Sequence, residues 1–372
     1  MVLLGSTGSI GAATLSVARG YHLEVETLVA GKNADRLNEQ IAEFHPKRVV
    51  VADRATAEKV NFAGVKYGDA AILEAIEESR SDLVVNALVG STGLAPTLKT
   101  VALGKRLALA NKESLVCAGA FIDTARITPI DSEHFGIKYL LADRAIRRLI
   151  ITASGGALRD LPIEAIEHAP IEAVLRHPNW SMGAKITIDS ATMVNKLFEL
   201  LEARWLFGAH EIDALIERSS AIHAMIEFAD GCISAQASRT DMRLAIAYAV
   251  LGELNEPIAG GIDLTALEPI RFEPIDSARY PVWAIKEPLL QTPALGVVIN
   301  AANEAAIERY RAHEISFGAI ARTVLAAFER FSAAPVSIDH ALALHDEVLG
   351  WTKSFLCKPI SLTLFVLLSI AR

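Results

Sequence analysis

The chain opens on a short apolar run, residues 2–4. A glycine-spaced turn follows, Gly5-Ser6-Thr7-Gly8-Ser9-Ile10-Gly11, and then a pattern of helical period through Val17. Apolar runs of strand length recur at residues 23–30, 48–52, 83–89, 107–110, 127–130 and 149–152, and helical patterns alternate with them. Buried parallel strands read as continuous apolar runs, so this alternation predicts an α/β fold with a doubly wound parallel sheet. Residues 221–237 alternate instead, around Asp230-Gly231, which predicts a β-hairpin containing His223. A lone strand histidine is more often core or interface than ligand. Residues 256–280 are rich in Pro, Gly and Asp without periodicity and read as a linker. Residues 297–349 return to helical period and predict a small helical domain.

One stretch departs from this order. Residues 177–199, HPNWSMGAKITIDSATMVNKLFE, end in a pattern that predicts a helix opening near Ser190, since Ser is a good N-cap. Met193, Val194, Leu197, Phe198, Leu200 and Leu201 make that helix apolar almost all round, which predicts burial. Asn195, Lys196 and Glu199 lie on it at spacings that share a face. Buried charges need partners, and two readings meet that need: an internal Lys–Glu pair, or a bound metal or ligand. Upstream, His177-Pro178-Asn179-Trp180 with Gly183 reads as a loop. Trp180 there is either a mobile cover over a ligand or a surface anchor. Ser190, Asn195 and Lys196 are donors suited to an anionic group such as phosphate.

The chemistry of the remaining strand ends narrows the picture. The first strand, the glycine turn and the following helix form a dinucleotide-binding arrangement, although the spacing is G-x-x-G-x-x-G. The second strand ends in Gly31-Lys32-Asn33, with no acid for a ribose 2′-hydroxyl. Lys32 favours a 2′-phosphate and hence NADP(H), the alternative being a solvated turn lysine. The run at 107–110 leads into Asn111-Lys112-Glu113-Ser114 at the end of the sheet where ligands bind. The run at 127–130 leads into Asp131-Ser132-Glu133-His134, a candidate hard-metal site that a distant Glu would complete, and equally a helix N-cap. The run at 149–152 leads into Ser154-Gly155-Gly156, small residues that let a ligand approach the backbone.

Composition mostly excludes. A length of 372 residues predicts two or three domains, and 52% hydrophobic residues supports large cores. A net charge of −8 argues against a broad nucleic-acid surface. Cys117, Cys232 and Cys357 have no metal spacing and suit a reducing, cytoplasmic compartment. The chain enters its first motif without a signal peptide, and the longest apolar run, residues 360–371, is too short to span a membrane.

Together the segments GSTGSIG, GKN, ALANKESLV, DSEH, TASGG, HPNWSMG-x-K, DSATM-x-NK with Glu199, DMR at 241–243 and NAANE resemble the 1-deoxy-D-xylulose 5-phosphate reductoisomerase family. They run in the family's order from residue 5 to about 350. The resemblance implies a V-shaped homodimer with an NADPH-binding domain (1–130), a catalytic, metal-binding and dimerisation domain (131–255), a linker (256–280) and a C-terminal helical domain (281–350); the atypical tail, 351–372, matches nothing in the family's pattern. It implies Asp131, Glu133 and Glu199 as ligands of Mg²⁺ or Mn²⁺. Lys112, Ser132, Ser154, His177, Ser190, Asn195, Lys196 and Glu199 are implied substrate contacts, with Trp180 as lid. Lys112, Asp131, Glu133, His177 and Glu199 form the implied catalytic set. Thr7, Gly8, Ser9, Ile10, Gly31, Lys32, Asn33, Asn111, Glu113 and Gly183 are the implied cofactor contacts. The implied reaction is rearrangement and reduction of the ketose phosphate to 2-C-methyl-D-erythritol 4-phosphate in non-mevalonate isoprenoid biosynthesis. A plain NADP-dependent dehydrogenase leaves three carboxylates unexplained; a non-catalytic NADPH-binding protein is the other rival. The chain departs from the family's pattern at a shortened 134–152 segment, at Glu217-Arg218-Ser219 where His-Pro-Gln is usual, at Thr240 and Ala245 where prolines are usual, and at Leu197.

Overall fold

A computed structural model describes residues 1–355. Seven parallel strands form the first sheet: β1 (Val2–Leu4), β2 (Thr27–Val29), β3 (Arg48–Val51), β4 (Lys66–Tyr67), β5 (Leu83–Asn86), β6 (Arg106–Leu109) and β7 (Ile127–Pro129). Their spatial order is β4-β3-β2-β1-β5-β6-β7, so the winding reverses between β1 and β5. That reversal opens a crevice at the carboxyl ends of the strands, where ligands bind in such sheets. Strands β1, β2 and β5 are buried along their whole length, as their unbroken apolar runs require. The two-residue edge strand β4 carries no run long enough to betray it in the sequence.

The second sheet is mixed, in the order β11-β10-β8-β9-β12, with β8 (Ile146–Ala153), β9 (Ile212–Ile216), β10 (Ile222–Phe228), β11 (Ile233–Ala237) and β12 (Glu273–Pro274). The hairpin β10–β11 forms around Asp230-Gly231 as its alternation predicts. β12 lies inside the stretch that reads as a linker and pairs with β9 at the sheet's edge, a contact that polar, aperiodic sequence conceals. Helices Gly296–Arg311, Phe317–Arg330 and Ile338–Ser354 form the C-terminal part. They do not enclose a separate core: Val297, Val298 and Ile299 pack in one apolar cluster with Leu4, Leu109 and Leu201. The helix Met242–Leu251 returns to the first sheet and packs Ile246 and Val250 with Leu15 and Val17. The last helix carries Trp351 against Phe331, whereas Cys357 and the apolar run 360–371 lie outside the described residues. Among the described residues no helix is long and apolar enough to cross a membrane.

Two short helices replace the single one expected to open near Ser190. The first, Ala184–Thr192, starts after Gly183, and Ser190 lies in its last turn rather than at its N-cap. The break is at Met193, left-handed at φ 70°, and the second helix, Val194–Phe207, begins there. A left-handed non-glycine residue costs roughly 1–2 kcal/mol. The Met193 side chain is 1% exposed, and its packing in the main core offsets that cost.

Candidate active site

Strand ends deliver the site. Gly5 and Ser6 bond back to Val29 through their backbone N–H groups, which sets the turn after β1 beside the end of β2. Gly11 admits no side chain: a Cβ there would sit 2.2 Å from the Gly5 carbonyl oxygen. The first helix therefore meets the turn closely, with its N-terminus aimed at the crevice. Beyond β6, Asn111 caps the helix Lys112–Ala118 by accepting from Ser114 N at 3.1 Å. Beyond β7, Asp131 caps the helix Ser132–Leu140, so capping and the carboxylate cluster coexist at one strand end. Beyond β8, Gly156 at φ +73° lets the chain pass the Ser190 backbone, where a Cβ would meet its carbonyl oxygen at 2.7 Å.

These ends converge with the helix Val194–Phe207 on a cavity of about 340 Å³. Ser9, Ile10, Lys112, Asp131, Ser132, Glu133, Ser154, His177, Trp180, Gly183, Ser190, Asn195, Lys196 and Glu199 all line it. Thr7, Gly8, Gly31, Lys32, Asn33, Asn111 and Glu113 lie outside that lining. Lys32 is exposed and 3.8 Å from Asp53 across the ends of β2 and β3. Asn33 caps the helix Ala34–Phe44, whose Arg36 donates to the Thr7 carbonyl at 3.1 Å. Asn111 and Glu113 are buried and bonded to each other at 3.2 Å.

Oxygen atoms of Asp131, Glu133 and Glu199 lie within 4.8 Å of one another. Lys112 Nζ donates to Asp131, to Glu199 Oε1 at 2.8 Å and to Asn195 Oδ1 at 3.0 Å. Lys196 Nζ donates to Glu133 Oε1 and Glu199 Oε2, each at 2.5 Å. Asn195 also donates to Glu199, and Ser132 Oγ donates to Glu133 Oε2 at 2.6 Å. Of the two readings of the buried helix, the structure shows the Lys–Glu pair, and it lies inside a cluster of three carboxylates. Burial and the neighbouring Glu199 charge push the Glu133 carboxyl up to about 8, which Lys196 only partly offsets. Asp131 behaves oppositely: burial opposes its ionisation, yet the Lys112 ammonium and His134 hold it well below the usual carboxylate range. Three hard oxygen donors facing each other at this spacing fit a small divalent cation.

Trp180 lies half-buried over the cavity, its ring edge-on to His223 at 5.9 Å between centroids. The loop is rooted by His177, whose Nδ1 accepts from Asn179 N at 3.2 Å and Trp180 N at 3.0 Å. The proton is thereby left on Nε2, which donates to Ser154 Oγ at 2.9 Å. Asn179 Nδ2 donates to the Arg218 carbonyl at 2.8 Å and to Ser220 Oγ at 2.7 Å. The departure at Glu217-Arg218-Ser219 thus supports the loop: the buried Glu217 carboxylate accepts from Ser219, Ala221 and Ile222 backbone N–H groups and shapes that turn. Leu197 and Ala245 are buried in apolar cores, and Thr240 lines the cavity.

Sequence reasoning quotes DSEH, HPNWSMG-x-K and DMR but gives no site role to His134, Lys185, Asp241 or Met242, and it reads His223 as core or interface. His134 is fully buried, with Nε2 2.9 Å from the Glu199 carbonyl and Nδ1 3.3 Å from Asp131 and 3.5 Å from Glu202. Burial works against its charge, but Glu202 and Asp131 raise it to about 9. His223, Asp241 and Met242 join the lining, and Lys185 bridges Glu113 and Asp189 just outside it. The spacing of His134 three residues after Asp131, and of Glu202 three after Glu199, was the available signal.

Family models for 1-deoxy-D-xylulose 5-phosphate reductoisomerase match residues 1–119, its C-terminal domain residues 127–207, and a further DXP reductoisomerase C-terminal domain residues 237–349. The chain belongs to the 1-deoxy-D-xylulose 5-phosphate reductoisomerase family. It is 55% identical to the 1-deoxy-D-xylulose 5-phosphate reductoisomerase of Nautilia profundicola, over 95% of this chain and 99% of that one. The reductoisomerase of Helicobacter pylori strain P12 is 50% identical over 94% of this chain and 97% of its own. Among solved structures, a DOX-P reductoisomerase in complex with NADPH, fosmidomycin and magnesium superimposes with a TM-score of 0.89 at 32% identity, covering 95% of this chain and 97% of that one. The Zymomonas mobilis reductoisomerase in complex with NADPH gives 0.84 at 33%, with the same coverage.

Proposed function

We propose that the chain is an NADPH- and divalent-metal-dependent enzyme that rearranges and reduces 1-deoxy-D-xylulose 5-phosphate to 2-C-methyl-D-erythritol 4-phosphate. The observation that carries this reading is the single cavity shared by Ser9 and Ile10 of the glycine turn, the three carboxylates, and the Ser190, Asn195 and Lys196 donors. A nucleotide on the turn, a cation on Asp131, Glu133 and Glu199, and a phosphate on the donors would bring all reacting groups together.

Mg²⁺ or Mn²⁺ on the carboxylates would supply Lewis acidity toward adjacent oxygens of the substrate. Lys112, Ser132, Ser154 and His177 orient the carbon skeleton. Neutral His177 presents an Nε2 proton toward Ser154 and the cavity. Trp180 closes over the skeleton and excludes water from the aldehyde that precedes hydride transfer. Lys32, with Arg36 beside Asn33, supports a preference for the 2′-phosphate of NADPH. We assign cofactor binding to residues 1–130, catalysis and dimerisation to 131–255, and a helical cap to 281–350. The place of β11 at the edge of the second sheet among the described residues, and the exposed Ile233, Tyr139 and Ile146, support a homodimer. Free thiols at Cys117 and Cys232 support a reducing, cytoplasmic setting.

The test is product formation. Incubated with the ketose phosphate, NADPH and Mn²⁺, the protein should oxidise NADPH and yield the branched tetritol phosphate, and a chelator should stop both. NADPH oxidation that survives chelation points to a plain dehydrogenase; NADPH binding without turnover points to a non-catalytic protein.

A further inference from the structure

Lys185 lies outside the cavity lining, yet it joins the parts that build it. Its ammonium donates to Glu113 Oε1 at 2.7 Å and to Asp189 Oδ2 at 2.9 Å, and sits 5.3 Å from the Phe198 ring centroid. Glu113 in turn accepts from Asn111, whose amide also donates to the Leu88 and Gly90 carbonyls at 2.9 and 2.8 Å. Asp189 accepts from Asn303 of the helix Gly296–Arg311 at 2.7 Å. Side-chain exposures of 15%, 10% and 3% for Lys185, Glu113 and Asp189 keep water from substituting for these bonds. Burial works against the ammonium, and Asp189 and Glu113 nonetheless hold it well above the ordinary lysine range.

The position in the chain gives this bridge its consequence. Lys185 is in the first turn of the helix Ala184–Thr192, directly after the Trp180 loop, and Ser190 closes the same helix. Glu113 is in the first turn after β6, at the ligand-binding end of the sheet. We propose that Lys185 is a positioning residue that fixes the helix following the Trp180 loop, and Ser190 with it, to the nucleotide-binding face. The proposal rests on the functional reading above, which puts a nucleotide in the crevice at the strand ends; Glu113 stands at the β6 end of that crevice, and Asn111 ties it to the Leu88 and Gly90 carbonyls after β5. Bound nucleotide then holds Glu113, Glu113 holds Lys185, and Lys185 sets the register of the helix that presents the substrate donors.

Hydrogen–deuterium exchange over residues 184–192, with and without NADPH alone, reads this directly. In the wild type, NADPH should slow exchange there. In Lys185→Met that NADPH-dependent slowing should vanish, while NADPH binding measured by fluorescence persists and kcat falls about 10- to 100-fold through misplacement. Lys185→Arg should restore the slowing. A purely structural role would instead raise exchange equally with and without NADPH, and an unchanged NADPH-dependent slowing in Lys185→Met overturns the proposal. If Lys185→Met does not fold, Lys185→Gln carries the same readout and the same two outcomes. NADPH that binds the wild type without slowing exchange at 184–192 sinks the Lys185 role alone; a wild type that binds no NADPH overturns the functional reading and this one together.

Discussion

The two ends of the cavity are built from different materials. At residues 5–11 the ligand-facing groups are backbone N–H donors at a helix N-terminus, held in place by the absence of side chains at Gly5 and Gly11. At Asp131, Glu133 and Glu199 the chemistry is carried by side-chain charge, balanced by Lys112 and Lys196 in a nearly dry nest. The first end is limited by volume, since a Cβ at Gly5 or Gly11 would run into backbone. The second is limited by charge as well, because removing one partner leaves its counterpart buried and unpaired.

That contrast orders the expected effects of mutation. The largest should come from Glu199→Gln. Glu199 accepts from both lysines and faces the other two carboxylates, so metal-dependent turnover should fall by more than the ~100-fold typical of outer-shell partners. NADPH binding, followed by fluorescence, should remain, since Glu199 touches nothing at the glycine turn; lost NADPH binding would merge the two ends into one. Lys196→Ala comes next, with a loss of about 1.5–3 kcal/mol, roughly ten- to a hundredfold in kcat/KM for the sugar phosphate. Phosphonate inhibitors should weaken in parallel. Gly11→Ala probes the opposite end: overpacking of about 1–3 kcal/mol should lower Tm and weaken NADPH while leaving metal affinity intact.

The smallest effect is a pH dependence at the loop root. Burial, and then the Arg159 and Lys196 charges, lower the His177 pKa from the ordinary 6.5 to about 4. Between those values the native state binds fewer protons than the unfolded chain, so stability rises with pH. His177 should therefore contribute fully above about 6.5 and lose that contribution as pH falls through about 4. Comparing Tm against pH for the wild type and His177→Gln should show a shallower slope in the variant across that window.

The same contrast explains what the sequence made legible. The glycine turn is local, so spacing between neighbours in the chain is enough to read it. The carboxylate nest draws on β6, β7 and a distant helix, yet it left a local trace, because charges on an otherwise apolar helix demand partners. Lys185, Glu202 and His134 left weaker traces, since their meaning depends on which buried groups tertiary packing brings to them. The break at Met193 was hidden for a related reason: Ser190 has the chemistry of an N-cap, but packing of Met193 in the core decides where the helices divide. β12 was hidden because a two-residue edge strand has no period to detect.

Anomalous scattering from crystals of the protein grown with Mn²⁺ addresses the carboxylate nest most directly. One peak should appear, bonded to Asp131, Glu133 and Glu199, with the Lys112 and Lys196 ammonium groups moved off those oxygens. A peak on Asp131, His134 and Glu202 instead, the other cluster of adjacent ligand atoms among the described residues, or no peak at either place, would contradict the assignment of the metal to this end of the cavity.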